Sequence, residues 1–357
     1  MTSIVIASVI IPRILLIAVR KKLYDIPDAR KVHTKAIPRL GGVSFYPTIL
    51  FSFCSVFAIR ILLGYEVDTT QAEYLIPEYL LLACGITLLY LTGISDDLVG
   101  VRYRQKFAIQ FICASFLPLS GLWVNNLYGF LGIHEISYWI GIPFTIFTVI
   151  FITNAINLID GIDGLASGLS SVSLLVLGIL FLSQELWAYS MLAIATFGVL
   201  VPFFYYNVFG SAEHARKIFM GDTGSLTLGY ILSFLAIKFS MYNPDIAPYT
   251  ENAIIIAFST LIIPTFDVIR VVCVRIYNNV SPFEPDKNHI HHKLLSRGIS
   301  PKRTMVYLIL MSTILSAVNI ILIPYVNISL MLLIDTLIWI GINLWWSRLK
   351  ERKKVET

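Results

Sequence analysis

The chain has 357 residues, of which 57% are apolar and 14% charged, with mean hydropathy +0.77 and a formal net charge of +5. Soluble domains run at roughly 45–50% apolar and about 25% charged. Composition therefore excludes a water-soluble enzyme and equally excludes a disordered chain: this is an integral membrane protein.

Eleven apolar segments follow in chain order, at roughly 2–20, 41–63, 75–94, 106–123, 138–158, 165–182, 187–208, 223–240, 253–275, 304–321 and 326–346. A spanning helix needs about 20 apolar residues, whereas barrel strands are about ten residues long and alternate. The expectation is an all-α, polytopic helix bundle of about eleven transmembrane helices, forming one domain over 1–357. Segment one has no basic leader or small-residue cleavage site and is followed by Arg20, Lys21 and Lys22, so it reads as a span and not as a signal peptide. Cys54, Cys84, Cys113 and Cys273 lie in or beside apolar stretches without a CxxC pair and read as buried, unbridged residues.

Orientation follows from the basic residues. Of 27 Lys and Arg, 24 fall in loops after odd-numbered segments or in the C-terminal tail, leaving Arg13, Arg60 and Lys238. Cytoplasmic loops retain this excess, so the N-terminus is expected outside and the C-terminus in the cytoplasm. The opposite-face loops hold scattered polar residues without a repeated spacing.

The chemistry-bearing residues gather on the basic side in five clusters. Asp25-Ile-Pro-Asp28-Ala-Arg30-Lys31-Val-His33 continues to Pro38-Arg39-Leu-Gly41-Gly42, a basic juxtamembrane loop ending in paired glycines that permit close backbone approach. Asp96-Asp97 is followed by Arg102, Arg104 and Lys106; adjacent carboxylates repel and invite a cation, and the basic residues suit a phosphate. Asn154, Asn157, Asp160 and Asp163 recur at three-residue steps, close together on a helical face, before Gly164 and Gly168. Lys217-Ile-Phe-Met-Gly221-Asp222-Thr223-Gly224-Ser225 places one carboxylate where an apolar helix begins, suiting a hard cation, a phosphate or a plain N-cap. Lastly, Glu284-Pro-Asp286-Lys287-Asn288-His289-Ile-His291-His292-Lys293 crowds three imidazoles too tightly for a zinc site. Beside Lys287 and Lys293 these histidines are better suited to donate to phosphate oxygens. Carboxylates, amides, glycines and cations together bind magnesium and phosphate.

In this order the clusters resemble those of the polyprenyl-phosphate N-acetylhexosamine-1-phosphate transferases, over residues 25–303. The N-acetylglucosamine branch of that family has eleven spans and a cytoplasmic active site. The His289-Ile-His-His292 form is similar to that branch and unlike the Pro-x-His-His-His of the phospho-N-acetylmuramoyl-pentapeptide transferases of peptidoglycan synthesis. The resemblance implies a bacterial inner-membrane enzyme that moves a HexNAc-1-phosphate from a UDP-sugar to undecaprenyl phosphate and releases UMP. It implies Mg²⁺, with Mn²⁺ able to substitute, on Asp222 and Asn157. Asp96, Asp97 and Asp222 are the expected catalytic residues, the Asp96-Asp97 pair keeping the lipid phosphate deprotonated or orienting it. Lys106 and Arg102 are expected at the lipid phosphate, and Asn154, Asp160, Asp163, His289, His291 and His292 at the nucleotide sugar. Membrane lipid and a homodimer partner are implied, and no nucleic acid.

Three rivals fit less well. A phosphatidyl-alcohol transferase needs an arginine shortly after Asp160-Gly161, and a prenyl transferase needs Asp-x-x-x-Asp pairs; neither is present. A transporter of anionic sugars or nucleotides places polar groups in broken helices near the midplane, usually in an internal repeat, whereas here they sit at one face.

Overall fold

The computed structural model describes residues 1–24, 37–65, 69–244, 250–281 and 288–348. The expectations for Asp25–His33, Glu284–Lys287 and the basic residues after Arg348 lie outside the described residues.

Each predicted segment is helical. The helices are α1 (Thr2–Arg20), α2 (Phe45–Leu62), α3 (Thr69–Val99), α4 (Tyr103–Leu119), α5 (Tyr138–Ile159), α6 (Leu165–Ser183), α7 (Trp187–Phe204), α8 (Gly221–Ser240), α9 (Ala253–Ser259), α10 (Ile262–Tyr277), α11 (Ile290–Ser296), α12 (Pro301–Leu322) and α13 (Ile328–Arg348). Among the described residues, nine helices are long and apolar enough to cross a membrane, or ten if α9 and α10 form one bent span. The 17-residue α4, on the predicted segment at 106–123, is not among them.

The break between α9 and α10 bends the chain by 81°. Pro264, in the first turn of α10, has no N–H to continue the ladder. In hydrocarbon the freed carbonyls need partners, and hydroxyls of neighbouring helices supply them: Ser173 Oγ donates to Thr260 O at 2.8 Å and Ser316 Oγ to Ser259 O at 3.1 Å.

Helix α8 is the axis of the bundle. Every one of its 20 residues is buried, and it packs against α3, α5, α6 and α9. Lipid tails are as apolar as leucine, so helix association here depends on close packing by small residues. Gly229 of α8 lies so close to α5 that a Cβ there would come within 2.6 Å of Thr153 Cα. Thr227 and Ser233 return their hydroxyls to the carbonyls of Thr223 and Gly229, both at 2.7 Å, so these two donors of α8 are satisfied within the helix. Tyr230 donates to Cys113 O of α4 at 2.8 Å. Near its C-terminus, Lys238 pairs with Glu78 of α3 at 2.6 Å, and Glu78 also accepts from Tyr189 of α7 at 2.7 Å. Asp222 near the start and Lys238 near the end both complement the helix dipole.

Two expectations are corrected. Strands were not expected, yet β1 (Asn126–Phe130) and β2 (Ile133–Glu135) form an antiparallel hairpin in the loop after α4. Leu131 and Gly132 both adopt positive φ, as a two-residue hairpin turn requires, and the strands are too short to alternate visibly in sequence. Only Cys113 is buried; Cys54, Cys84 and Cys273 are exposed on helix surfaces, where an apolar stretch means contact with lipid and not with a core. All four cysteines are free, as expected.

The α5–α8 seam gives a first prediction. Gly229→Val should lower the thermal midpoint in detergent by several degrees or abolish monodisperse protein, since overpacking costs about 1–3 kcal/mol. Gly341→Ala on α13, where an added Cβ meets nothing within 4 Å, should leave the midpoint within about one degree. Fluorescence-detected size-exclusion after a heating series checks both.

Candidate active site

Four of the five clusters meet at the N-terminus of α8. Gly221 has φ +71°, and a Cβ there would collide with the Arg39 carbonyl and the Asp97 carboxylate. Only glycine brings the chain into the helix at this point. The first N–H groups of a helix have no intrahelical partner, and Asp97, at the end of α3, accepts them. Asp222 N donates to its Oδ1 at 2.8 Å, while Thr223 N and Thr223 Oγ1 donate to its Oδ2 at 3.0 and 2.6 Å. The Asp97 side chain is fully buried, so this carboxylate is committed to holding α8. Of the expected catalytic pair, Asp96 is the more available: its Oδ1 accepts from Val101 N at 2.8 Å and its Oδ2 from Lys106 Nζ at 3.2 Å.

Asp222 carries the densest charge contacts. Lys106 Nζ donates to its Oδ2, bridging it to Asp96, and Arg39 Nη2 approaches its Oδ1 at 3.4 Å. Arg39 is placed by a short backbone pairing in which Gly41 N and Gly42 N donate to Phe219 O and Met220 O at 2.9 and 2.8 Å. The end of the first cluster is thereby sewn to the fourth.

The third cluster joins from the end of α5. Asn157 Nδ2 donates to Ser225 Oγ of α8 at 2.8 Å, and Lys217 pairs with Asp163 at 2.5 Å. Asn154 faces away from this group, its amide paired with that of Gln110 on α4. Asp160, just past α5, receives no side-chain hydrogen bond from the described residues. Burial, and then Asp222, Asp163 and Asp97, push its pKa up to about 7 against the opposing charge of Arg39.

The fifth cluster stacks on the third. His289 and His291 are parallel with ring centroids 6.0 Å apart, and His292 lies 4.2 Å from His291. His291 lies against Gly161, in the turn after α5, so closely that no side chain fits there. It is buried, neither ring nitrogen has a described partner, and burial followed by the neighbouring His292 drives its pKa down to about 3. His291 is therefore neutral at physiological pH. His289 Nδ1 is held at 2.8 Å by Asp267 of α10, while its Nε2 is buried without a described partner.

Arg102, expected at the lipid phosphate, is exposed at the N-cap of α4, and Lys293, beside the histidines in sequence, donates to Asn343 O of α13 at 2.9 Å, away from the histidine stack. Sequence reading gave no role to Arg39, Gln110, Ser225 or Asp267. Asp267 carried a usable signal, because an ionisable residue inside an apolar segment is costly and needs a function. The amide and hydroxyl partners carried none.

Among the described residues, no three Asp, Glu, His or Cys side chains converge into a closed metal cage. The donors nevertheless fit Mg²⁺, which takes one or two protein carboxylates and keeps water or phosphate oxygens for the rest. Among the described residues, Asp96, Asp97, Asp160, Asp163 and Asp222 face Arg39, Lys106 and Lys217, two more carboxylates than cations.

Residues 79–240 match the glycosyl transferase family 4. The chain is 31% identical over 315 residues to a probable undecaprenyl-phosphate N-acetylglucosaminyl 1-phosphate transferase of Bacillus subtilis, covering 88% of this chain and 81% of that protein. It is similar to the undecaprenyl-phosphate alpha-N-acetylglucosaminyl 1-phosphate transferases of Yersinia pestis (30% identity, 85% of this chain and 78% of that protein) and Escherichia coli K12 (28%, 85% and 77%).

Asp160 gives a pH prediction. A folded-state pKa of about 7 lies above the unfolded value of about 3.9, so the native state binds this proton more tightly. Stability should fall as pH rises from about 4 to about 7, then level off. In chelator-containing buffer, Asp160→Asn should lose less thermal midpoint between pH 5 and pH 8 than the parent protein. Equal losses in a differential scanning measurement would refute the assignment.

Proposed function

Because this chain belongs to the glycosyl transferase family 4 of polyprenyl-phosphate N-acetylhexosamine-1-phosphate transferases, we propose that it transfers N-acetylglucosamine 1-phosphate from UDP-N-acetylglucosamine to undecaprenyl phosphate. The observation that carries this reading is the seating of Asp222 at the dipole-positive end of a buried helix, with Lys106 and Arg39 on its two oxygens and Asn157 held to the next turn. An oxygen of the lipid phosphate attacks the β-phosphorus of the UDP-sugar, the bond to the α-phosphate oxygen breaks, and UMP leaves.

Both substrates are anionic, so the barrier is largely charge repulsion and positioning. Lys106 and Arg39 bring two positive charges to the meeting point, and Asp96 fixes Lys106 at 3.2 Å. The lipid phosphate has a second pKa near 6, so it is ionised at neutral pH and needs no strong base. Asp96 accordingly acts as an orienting carboxylate, and Asp97 as a positioning residue that holds Asp222. Asp160, Asp163 and the histidine stack border the space for the nucleotide sugar. Asp222, with Asn157 and Asp160, would hold Mg²⁺ or Mn²⁺, which when bound offsets charge on the transferring phosphoryl group.

The reading places this end of the bundle at the cytoplasmic face of a bacterial inner membrane, supported by the basic loops gathered there. It includes the homodimer that the resemblance implies. The clustering of charged residues at one end favours an enzyme over a transporter.

Purified protein should move label from sugar-labelled UDP-N-acetylglucosamine into the organic phase, dependent on undecaprenyl phosphate and Mg²⁺, with equimolar UMP. Asp222→Ala should reduce the rate at least about 100-fold. Transfer that survives either chelation or Asp222→Ala would overturn the assigned centre. Folded protein inactive with every UDP-sugar tested would overturn the activity.

A further inference from the structure

We infer that Asp267 is a positioning residue that holds His289 as its Nδ1–H tautomer, leaving Nε2 as a hydrogen-bond acceptor for an O–H or N–H of the nucleotide sugar. The inference rests on the transferase reading for the identity of the ligand, but the Asp267–His289 pairing stands on geometry alone.

Asp267 is fully buried in α10, and its two oxygens have different partners. Oδ1 accepts from Ile290 N at 3.0 Å and from Arg270 Nη2 at 2.7 Å, while Oδ2 meets only His289 Nδ1 among the described residues, at 2.8 Å. A carboxylate can only accept in these bonds, so Nδ1 carries the proton. Arg270 already balances the carboxylate charge, which removes the main reason for a second proton on the imidazole. In the neutral ring, Nε2 then presents a lone pair.

That lone pair is buried and has no partner among the described residues. A buried acceptor left unpaired is destabilising, so its retention beside the site marks it for a ligand. The ring stacks on His291, which lies against Gly161, next to Asp160. Phosphate oxygens cannot donate to this atom, whereas sugar hydroxyls, the acetamido N–H and the uracil N–H can. The expectation that all three histidines donate to phosphate is thus revised for His289.

The asymmetry of Asp267 defines the test. In Asp267→Asn the amide oxygen is claimed by Arg270 and Ile290 N, so the amide nitrogen faces His289 Nδ1 and donates to it. The ring must then carry its proton on Nε2, with packing preserved. Solid-state ¹⁵N spectra of histidine-labelled protein in lipid, with His289 assigned by difference against His289→Gln, report each ring nitrogen. The parent should show a protonated Nδ1 and an unprotonated Nε2 at pH 7.5, and Asp267→Asn should reverse them.

In the transfer assay, Asp267→Asn should raise the KM for UDP-N-acetylglucosamine about 10- to 100-fold and leave the KM for undecaprenyl phosphate unchanged. The double variant with His289→Ala should be no worse than His289→Ala alone. A parent His289 with both nitrogens protonated overturns the tautomer assignment, and this does not require Asp267→Asn to fold. An unmoved donor KM in active Asp267→Asn overturns the ligand contact. A parent protein with no transfer activity removes the substrate reading while the nitrogen spectra still decide the pairing.

Discussion

The capping of α8 by Asp97 is the interaction on which the site depends. A helix starting inside a membrane protein leaves N–H groups that water cannot reach. Here the nearest carboxylate comes from a different helix, α3, and takes both backbone groups and the Thr223 hydroxyl. The same bonds fix Asp222 at the first turn, between Lys106 and Arg39. Structural and chemical roles are thus divided between carboxylates 125 residues apart in sequence.

Around that point the protein handles charge by pairing it locally. Asp96, Lys106, Asp222 and Arg39 form one chain of contacts, Lys217 and Asp163 another, and Asp267, Arg270 and His289 a third. A fourth, Glu78 with Lys238 and Tyr189, lies near the far end of α8, where it ties α3, α7 and α8 together without touching the site. Pairing is incomplete at His289 Nε2, at both ring nitrogens of His291 and at Arg270 Nε, which are buried without partners among the described residues. Unsatisfied groups at the junction of paired ones mark where substrate belongs.

Much of this was legible in the residues themselves. Hydropathy located every helix but the short polar α11, which lies in the loop between two apolar segments, because a span must be apolar along its full length. The polar clusters were visible because charge is rare at membrane depth. Hidden from that reading were the hairpin at 126–135, whose strands are too short to show a period, and the 81° break at Thr260–Leu261, which lies inside one unbroken apolar run. Also hidden was the difference between Asp96 and Asp97, neighbours of identical chemistry: α3 turns one toward the start of α8 and the other toward Lys106.

The sequence by itself determined the class of the protein, its long apolar segments and the residue types of its chemistry, because apolar length and charge are properties of the local chain. Only the tertiary structure decided which carboxylate holds a helix and which faces the cations, that Asn154 turns to Gln110 while Asn157 turns to Ser225, and that Asp267 stands behind His289. Those assignments depend on distances between residues far apart in the chain, set by the close packing of α3 and α5 against α8 and of α10 against α5, and no local pattern encodes them.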